Sequence, residues 1–287
     1  MAAPERRCAA RAEPFAPQPA LAPGTRAALL ARGFSPEAAG AAEATGAALP
    51  LLRFAALPPA ARAERLALRQ EALEAILQAM LDAAAVIAEI DCEGERVDEL
   101  RARLQAMLDR RARQLGVAGL MMGAATAAAT GGLALGGLAA AGNIAGIVGG
   151  AGEAGFAGAL LFGDPPTGTL ETRRNLLAEV WAAPAAPRLF PGTVWRHLQG
   201  AGASGESRLA LLRAEWTTPE LLGAPDSPEA EARAALQFGP GGSYTAEALE
   251  RRDRMLDLLE SAIALMHQDL RRLLAELRAL AARGPTP

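Results

Sequence analysis

One long stretch of this chain, residues 116–162, carries a single ionisable side chain, that of Glu153, and consists almost wholly of Gly, Ala and Leu. A soluble domain rarely leaves so much sequence without charge. An α-helix rises about 1.5 Å per residue, so roughly 20 residues cross the ~30 Å hydrocarbon core of a bilayer. The length of this uncharged tract therefore predicts a membrane-inserting helical hairpin, that is, two crossings joined by a tight turn.

Small residues recur every four positions inside the uncharged tract, so they form a stripe along one face of each predicted helix. Stripes of this kind let two helix backbones approach closely in lipid, as in a glycine zipper. The two stripes are expected to contact each other or another subunit, so a homo-oligomer is one of the outcomes. The residues expected to pack are Gly119, Gly123, Ala127 and Gly131 in the first helix, and Gly142, Gly146, Gly150, Ala154 and Gly158 in the second.

The base of the hairpin is expected to hold an ion pair. Glycine pairs surround residue 134, which we take as the tip because glycine lets a chain reverse direction. That tip places Glu153 level with Arg113, and the interpretation favoured here is an ion pair between them, with Arg110 as the alternative partner. A carboxylate in an ion or proton path is the second interpretation of Glu153.

Basic residues flank the uncharged tract at both ends, whereas the tip has none. By the positive-inside rule this distribution predicts both ends on the cytoplasmic side of the membrane. The basic residues are Arg101, Arg103, Arg110, Arg111 and Arg113 before the tract, and Arg173 and Arg174 after it.

Composition predicts an all-α protein. Hydrophobic residues make up 51% of the chain but aromatic residues only 4%, and β-branched residues are few, so little is available to build sheets. The net charge is -3, and no basic patch is interleaved with aromatic residues. Nucleic-acid binding is therefore not expected.

Two long helices are expected to flank the hairpin. In the first, residues 59–115, Leu66, Leu73, Met80 and Ile87 recur every seven positions, which indicates an amphipathic helix. The charged stretch 91–96 shifts the phase to a new apolar row and is the candidate kink. That new row is Val97, Leu100, Leu104 and Leu108.

The second long helix, in residues 244–287, has a coiled-coil heptad pattern, and its length lets it lie along the first. The expected seam is Leu249, Leu256, Leu259, Ile263, Met266, Leu270, Leu273, Leu277 and Leu280.

The remaining segments complete the predicted organisation. Residues 1–24 are expected as a disordered tail, residues 25–58 as short helices, and residues 163–243 as a small helical subdomain between the hairpin and the last helix. Helix starts are predicted where a hydroxyl residue precedes Pro and Glu, at Ser35, Thr218 and Ser227. Trp181, Trp195 and Trp216 are expected to form the core of the small subdomain with Phe190, or alternatively to anchor it at a bilayer surface.

The sequence contains no motif that predicts a catalytic, cofactor-binding or metal-binding site. Two G-x-G-x-x-G matches begin at Gly150 and Gly200, but a dinucleotide site also needs a preceding strand and further βα units, which the sequence does not predict. The two histidines, His197 and His267, lie far apart in the sequence, and the two cysteines, Cys8 and Cys92, have no metal-binding spacing and form no disulfide framework. Whether Cys8 is lipidated stays open. We therefore expect no enzyme activity, no cofactor and no metal.

Two long amphipathic helices around an uncharged hairpin resemble the α-helical pore-forming toxins at the level of architecture, over residues 59–163 and 245–283. That resemblance implies oligomeric pores in a target membrane, although the tryptophan-bearing subdomain departs from it. The expectation favoured here is a non-enzymatic, membrane-associated protein of the cell envelope. Its hairpin inserts into the lipid bilayer, and its helical regions form a scaffold or anchor on one side. The alternatives are a soluble protein that converts to a pore and a soluble helical bundle with the hairpin as its buried core.

Overall fold

The computed structural model describes residues 24–135, 164–172, 174–201 and 205–282, with the side chains of 115–116 and 118–135 outside this description. Within these residues the chain forms nine helices and one two-stranded sheet, which confirms the predicted all-α class. In chain order the elements are α1 (Thr25–Ala31), α2 (Pro36–Thr45), α3 (Ala48–Ala56), α4 (Arg62–Leu135), β1 (Gly168–Glu171), α5 (Leu176–Ala182), α6 (Gly192–Gln199), α7 (Arg208–Trp216), α8 (Pro228–Phe238), β2 (Gly241–Tyr244) and α9 (Ala246–Ala282).

The helix starts follow local capping chemistry at two of the three predicted positions. The hydroxyl of Ser35 accepts a hydrogen bond from the backbone N–H of Ala38, and that of Ser227 accepts one from Ala230, so α2 and α8 begin as predicted. The third prediction is wrong, because Thr218 is followed by turns and no helix.

The chain divides into two units, the first made of residues 1–97, 171–242 and 250–287. In this unit α4 and α9 lie side by side. Glu93 on α4 pairs with Arg252 on α9, whereas Asp91, which precedes Glu93, lies near Glu260, which follows Arg252, so the two helices run antiparallel. The short helices α1, α2 and α3 pack together, and α6 packs on α2 and α7. The predicted pairing of the two long helices is therefore present in the first unit.

The face of α4 that packs in the first unit is not the one that the heptad of Leu66 predicted. The buried residues form an inner row, which consists of Leu68, Ala72, Ile76, Ala79, Ala83, Val86 and Ile90. Leu66 and Met80 are exposed, while Leu73 and Ile87 are half-buried. The inner row was overlooked because three of its seven residues are alanine, which carries a weak hydrophobic signal, although alanine allows a close approach of two helices.

Eight of the nine residues predicted for the seam on α9 are buried. All its members from Leu249 to Leu277 are buried, whereas Leu280 is half-buried near the helix end. The same face also buries Arg252 and Met255, which the heptad of leucines did not indicate.

The second unit consists of residues 98–170 and 243–249. Within it, the guanidinium of Arg111 donates a 3.1 Å hydrogen bond to the carbonyl oxygen of Asp164. Gly168 lies so close to Leu100 that a Cβ at this position would approach the leucine Cδ1 at 2.6 Å. The ring of Tyr244 is fully buried.

Helix α4 is longer than expected. It continues through residues 91–96, so the candidate kink does not interrupt it, and it passes Gly131 and Gly132 to end at Leu135, beyond the predicted tip. The rest of the predicted hairpin lies outside the described residues. Among the residues that are described, none belongs to a helix both long and apolar enough to cross a membrane.

The small subdomain differs from its prediction at its entry. Residues 168–171 form strand β1 within a subdomain that was predicted to be helical, and its first helix, α5, begins only at Leu176. Asn175 accounts for the late start, because its side chain accepts a hydrogen bond from the backbone N–H of Ala178 and caps the helix there.

Aromatic residues form the core of the subdomain, as predicted. Trp195, Trp216 and Phe190 are buried, whereas Trp181 is half-buried and stacks on Phe238 with ring centroids 4.5 Å apart. Trp216 also contacts Phe238, at 5.8 Å. Phe238 therefore joins two of the tryptophans, a role that no sequence pattern indicated.

Candidate functional site

The most completely buried polar feature described in the first unit is a cluster of four residues, which we call the buried ionic cluster: Glu93, Arg252, Asn175 and Gln237. The Nε of Arg252 donates to Glu93 Oε1 at 2.9 Å, and its Nη2 donates to the same oxygen. Its Nη1 donates to the carbonyl oxygen of Gln237 at 2.8 Å, and Nη2 also reaches Asn175 Oδ1 at 3.2 Å. Arg252 is 0% exposed and Glu93 is 7% exposed. The opposite charges of Glu93 and Arg252 thus compensate each other in a site that is buried from water.

Both charged residues occupy seam positions of their helices. Arg252 lies three residues after Leu249 and seven before Leu259, so it stands where the α9 heptad calls for an apolar residue. Glu93 lies seven residues after Val86 on the buried face of α4. Polar residues at seam positions fix the register of paired helices, since any slip would separate the charges in an apolar environment.

Asn175 extends the buried ionic cluster to the chain segments beside it. Its Nδ2 donates to the carbonyl oxygens of Gln237 and Gly239, each at 2.8 Å, while its Oδ1 caps α5. The start of α5 and the end of α8 are therefore held at one point against α4 and α9.

A second polar feature of the first unit is a cavity of about 360 Å³, which is within the size range of small-molecule sites. Its lining carries three guanidinium groups, three carboxylates and an imidazole. These belong to Arg26, Arg196 and Arg208, to Glu37, Glu43 and Asp269, and to His197.

The imidazole of His197 is held in one tautomer. Its Nε2 lies 3.2 Å from the carbonyl oxygen of Ala262, which can only accept, so Nε2 carries the proton and Nδ1 is left as an acceptor. Nδ1 lies 3.8 Å from Asp269 Oδ2. Burial, together with the positive charge of Arg208, lowers the pKa of His197 to about 4. The ring is therefore neutral at neutral pH.

The carboxylates of the cavity already have partners within the fold. Asp269 accepts a 2.7 Å hydrogen bond from Arg208 Nη2, although burial still raises its pKa. Glu43 accepts from the hydroxyl of Thr25 at 2.8 Å and from the backbone N–H of Arg26 at 3.0 Å. These contacts join α1 to α2 and α7 to α9, so the charges of the cavity hold helices together.

The residues predicted for the hairpin fall almost wholly outside the description. Gly119, Gly123, Ala127 and Gly131 belong to α4 by backbone only, and the stripe from Gly142 to Gly158 lies outside the described residues, as does Glu153. The predicted ion pair between Arg113 and Glu153 stays a prediction for this reason. The side chain of Arg113 itself is exposed.

The other motifs weighed in the sequence have simple outcomes. Gly200 follows the helix α6, so the second G-x-G-x-x-G match lacks the strand that a dinucleotide site requires. The expectation for the two cysteines stays a prediction, because Cys8 lies outside the described residues. Within the described residues, no three His, Cys, Asp or Glu side chains are grouped so that they could hold a metal ion.

The buried ionic cluster was missed by sequence reasoning. A signal was present, because Arg252 interrupts a heptad that is otherwise leucine, isoleucine and methionine, and Glu93 stands in the stretch read as a kink. Two opposite charges at seam positions of two antiparallel helices are the pattern that would have found it. Comparison of the chain with protein-family models, with curated proteins and with solved structures gives no match.

Proposed function

We propose that this protein is a non-enzymatic, membrane-associated helical scaffold of the cell envelope, with the uncharged tract in the lipid bilayer and the first unit in the aqueous phase on one side. The observation that carries the proposal is the continuity of α4. This helix packs in the first unit through its inner row and then runs without a break into the uncharged tract, as far as Leu135. The part of the uncharged tract that the structure describes is thus helical, as a membrane segment requires.

The charges before the uncharged tract support the same proposal. Arg110, Arg111 and Arg113 are exposed on the last charged turns of α4, immediately before residue 116. Clusters of arginine beside a membrane segment favour anionic headgroups, by about 1 kcal/mol for each basic residue near the surface. The contacts of the cavity and of the buried ionic cluster are directed within the fold, which fits a structural role.

Vesicle flotation tests the proposal directly. We expect the protein to float with vesicles of phosphatidylcholine and phosphatidylglycerol and to resist extraction at alkaline pH. Val148→Arg, which places a charge inside the uncharged tract, should abolish that resistance, because a charged residue at the centre of a bilayer costs about 3 kcal/mol on insertion scales. Leu211→Arg is the matched control, because Leu211 is an exposed leucine of α7.

The same vesicles distinguish the alternatives. Retention of an entrapped dye by vesicles that carry the protein fits an anchor, whereas release of the dye indicates a pore. Protein that stays at the bottom of the gradient, with or without Val148→Arg, would contradict the membrane proposal and favour a hairpin buried among helices.

A further inference from the structure

Helix α4 exposes a second apolar row beside its inner row, about a third of a turn further around the helix. Leu66 is 64% exposed, Leu77 56%, Met80 43% and Leu81 58%, and Leu73 and Ile87 are half-buried. We call these six residues the outer row. Over the same turns the inner row is packed against the helix's own chain, so α4 has two neighbouring apolar faces between residues 66 and 90, one packed and one exposed. A helix of one globular chain needs only one such face.

The spacing of the outer row points to another helix as its partner. Leu66, Leu73, Met80 and Ile87 recur every seven residues, and a seven-residue repeat keeps an apolar row facing a second helix that winds around the first. The row extends about 32 Å from Leu66 to Ile87. Binding to a lipid surface or to a small ligand would not require apolar residues at every seventh position.

The row is also complementary to itself. A two-fold axis between residues 76 and 77 brings Leu66 opposite Ile87 and Leu73 opposite Met80 of a second, antiparallel helix. The same axis brings Arg62 opposite Asp91, and both of these side chains are exposed. A surface whose residues pair with themselves in reversed order is what a closed two-fold dimer requires.

The charges around the ends of the row fit this arrangement. Arg62 and Arg69 lie near its first end. At its other end, burial and the neighbouring carboxylates of Asp91 and Asp257 raise the pKa of Glu260, so negative charge is concentrated there. An antiparallel neighbour brings its basic end to this acidic end, whereas a parallel neighbour would bring like charges together.

We propose that the outer row of α4 is a homodimer interface, on which a second copy of this chain packs its own outer row in the antiparallel direction. The interface uses only residues of the first unit and does not depend on the proposed membrane function. It gives a second copy of the chain as the partner of a helix face on which Leu66, Leu77 and Leu81 are more than half exposed.

Sedimentation equilibrium of the full chain in neutral detergent micelles tests the dimer. We expect a protein mass of twice the 29.5 kDa chain. Leu77→Glu should raise the dissociation constant by at least about 100-fold, because a carboxylate beside the two-fold axis would be buried against its own copy. Leu265→Glu is the matched control: Leu265 is 45% exposed on α9, outside the outer row, and its substitution should leave the mass unchanged.

Charge reversal tests the antiparallel direction. Arg62→Glu and Asp91→Arg should each weaken the dimer about tenfold, and the double variant should recover the wild-type dissociation constant because each reversed charge again meets its opposite. A monomeric wild-type chain would overturn the proposal. So would an oligomer that Leu77→Glu leaves intact, since it would associate through another surface, and a double variant weaker than either single variant would overturn the antiparallel arrangement.

Discussion

Removal of Glu93 is the sharpest test of how the buried ionic cluster contributes to stability. Glu93→Leu leaves Arg252 without a counter-ion in a position that is 0% exposed. The guanidinium loses the hydrogen bonds of Nε and Nη2 to Glu93 and keeps only its contacts with Gln237 and Asn175. Loss of one partner of a buried ion pair costs about 3–5 kcal/mol. Two charge-assisted hydrogen bonds, at about 1.5–3 kcal/mol each, give about 3–6 kcal/mol, which overlaps that range.

The double variant Glu93→Leu/Arg252→Met separates the attraction between the two charges from the cost of burying them. Asn175 Oδ1 still accepts from Ala178, and the carbonyl oxygen of Gln237 still accepts from Asn175 Nδ2, so no acceptor is left without a donor. Apolar replacement of a whole buried pair is often neutral or stabilising. We therefore expect the double variant within about 1.5 kcal/mol of the wild type, with a coupling free energy of about 3 kcal/mol or more between the two sites.

Urea unfolding followed by circular dichroism at 222 nm supplies the free energies of unfolding. Glu89→Ala is the matched control, since Glu89 lies one turn before Glu93 and pairs with Arg174 at 2.7 Å, but with both side chains 20% or more exposed. That substitution should cost about 1 kcal/mol or less. A cost below about 1 kcal/mol for Glu93→Leu, or additive effects of the two substitutions, would refute the argument that the buried ionic cluster acts as a unit.

Three further predictions concern single sites of the first unit. The pKa of His197 is about 4 in the folded protein and 6.5 in the unfolded chain. The neutral imidazole therefore contributes its full stabilisation above pH 6.5, and the free energy of unfolding falls by about 3 kcal/mol as the pH is lowered to about 4. The pKa of Asp269 is raised, so this group offsets part of that loss at acid pH. Urea titrations at several pH values should show a shallower slope for His197→Gln, whose amide can still donate to Ala262, and a slope equal to that of the wild type would contradict the assignment. Gly94→Ala should stabilise the protein by about 0.5–1 kcal/mol in thermal unfolding, because a Cβ there meets only Asp253 at 3.8 Å and glycine disfavours a helix interior. Gly239→Ala should instead destabilise it by about 1–3 kcal/mol, since its Cβ would overlap the backbone carbonyl oxygen of Ala235, and equal effects of the two glycine variants would contradict this reasoning.

Several elements were predictable because their causes are local. A serine before Pro and Glu caps a helix through its own hydroxyl, so α2 and α8 begin where the sequence placed them. The strong leucine heptad of α9 likewise predicted eight of the nine seam residues as buried. The start of α5 was not predictable in this way, since it depends on Asn175, which is also held from a distance by the end of α8.

What the sequence determined by itself is the helical class, the two long helices and the uncharged tract, because propensity, periodicity and charge act over a few turns of chain. Tertiary structure alone decided which side of α4 turns inward. Both the row of Leu66 and the alanine-rich row of Ile76 satisfy a heptad, but only the second brings Glu93 within reach of Arg252. Periodicity reports that a helix has an apolar face. The choice between two such faces depends on the charges that the partner helix buries.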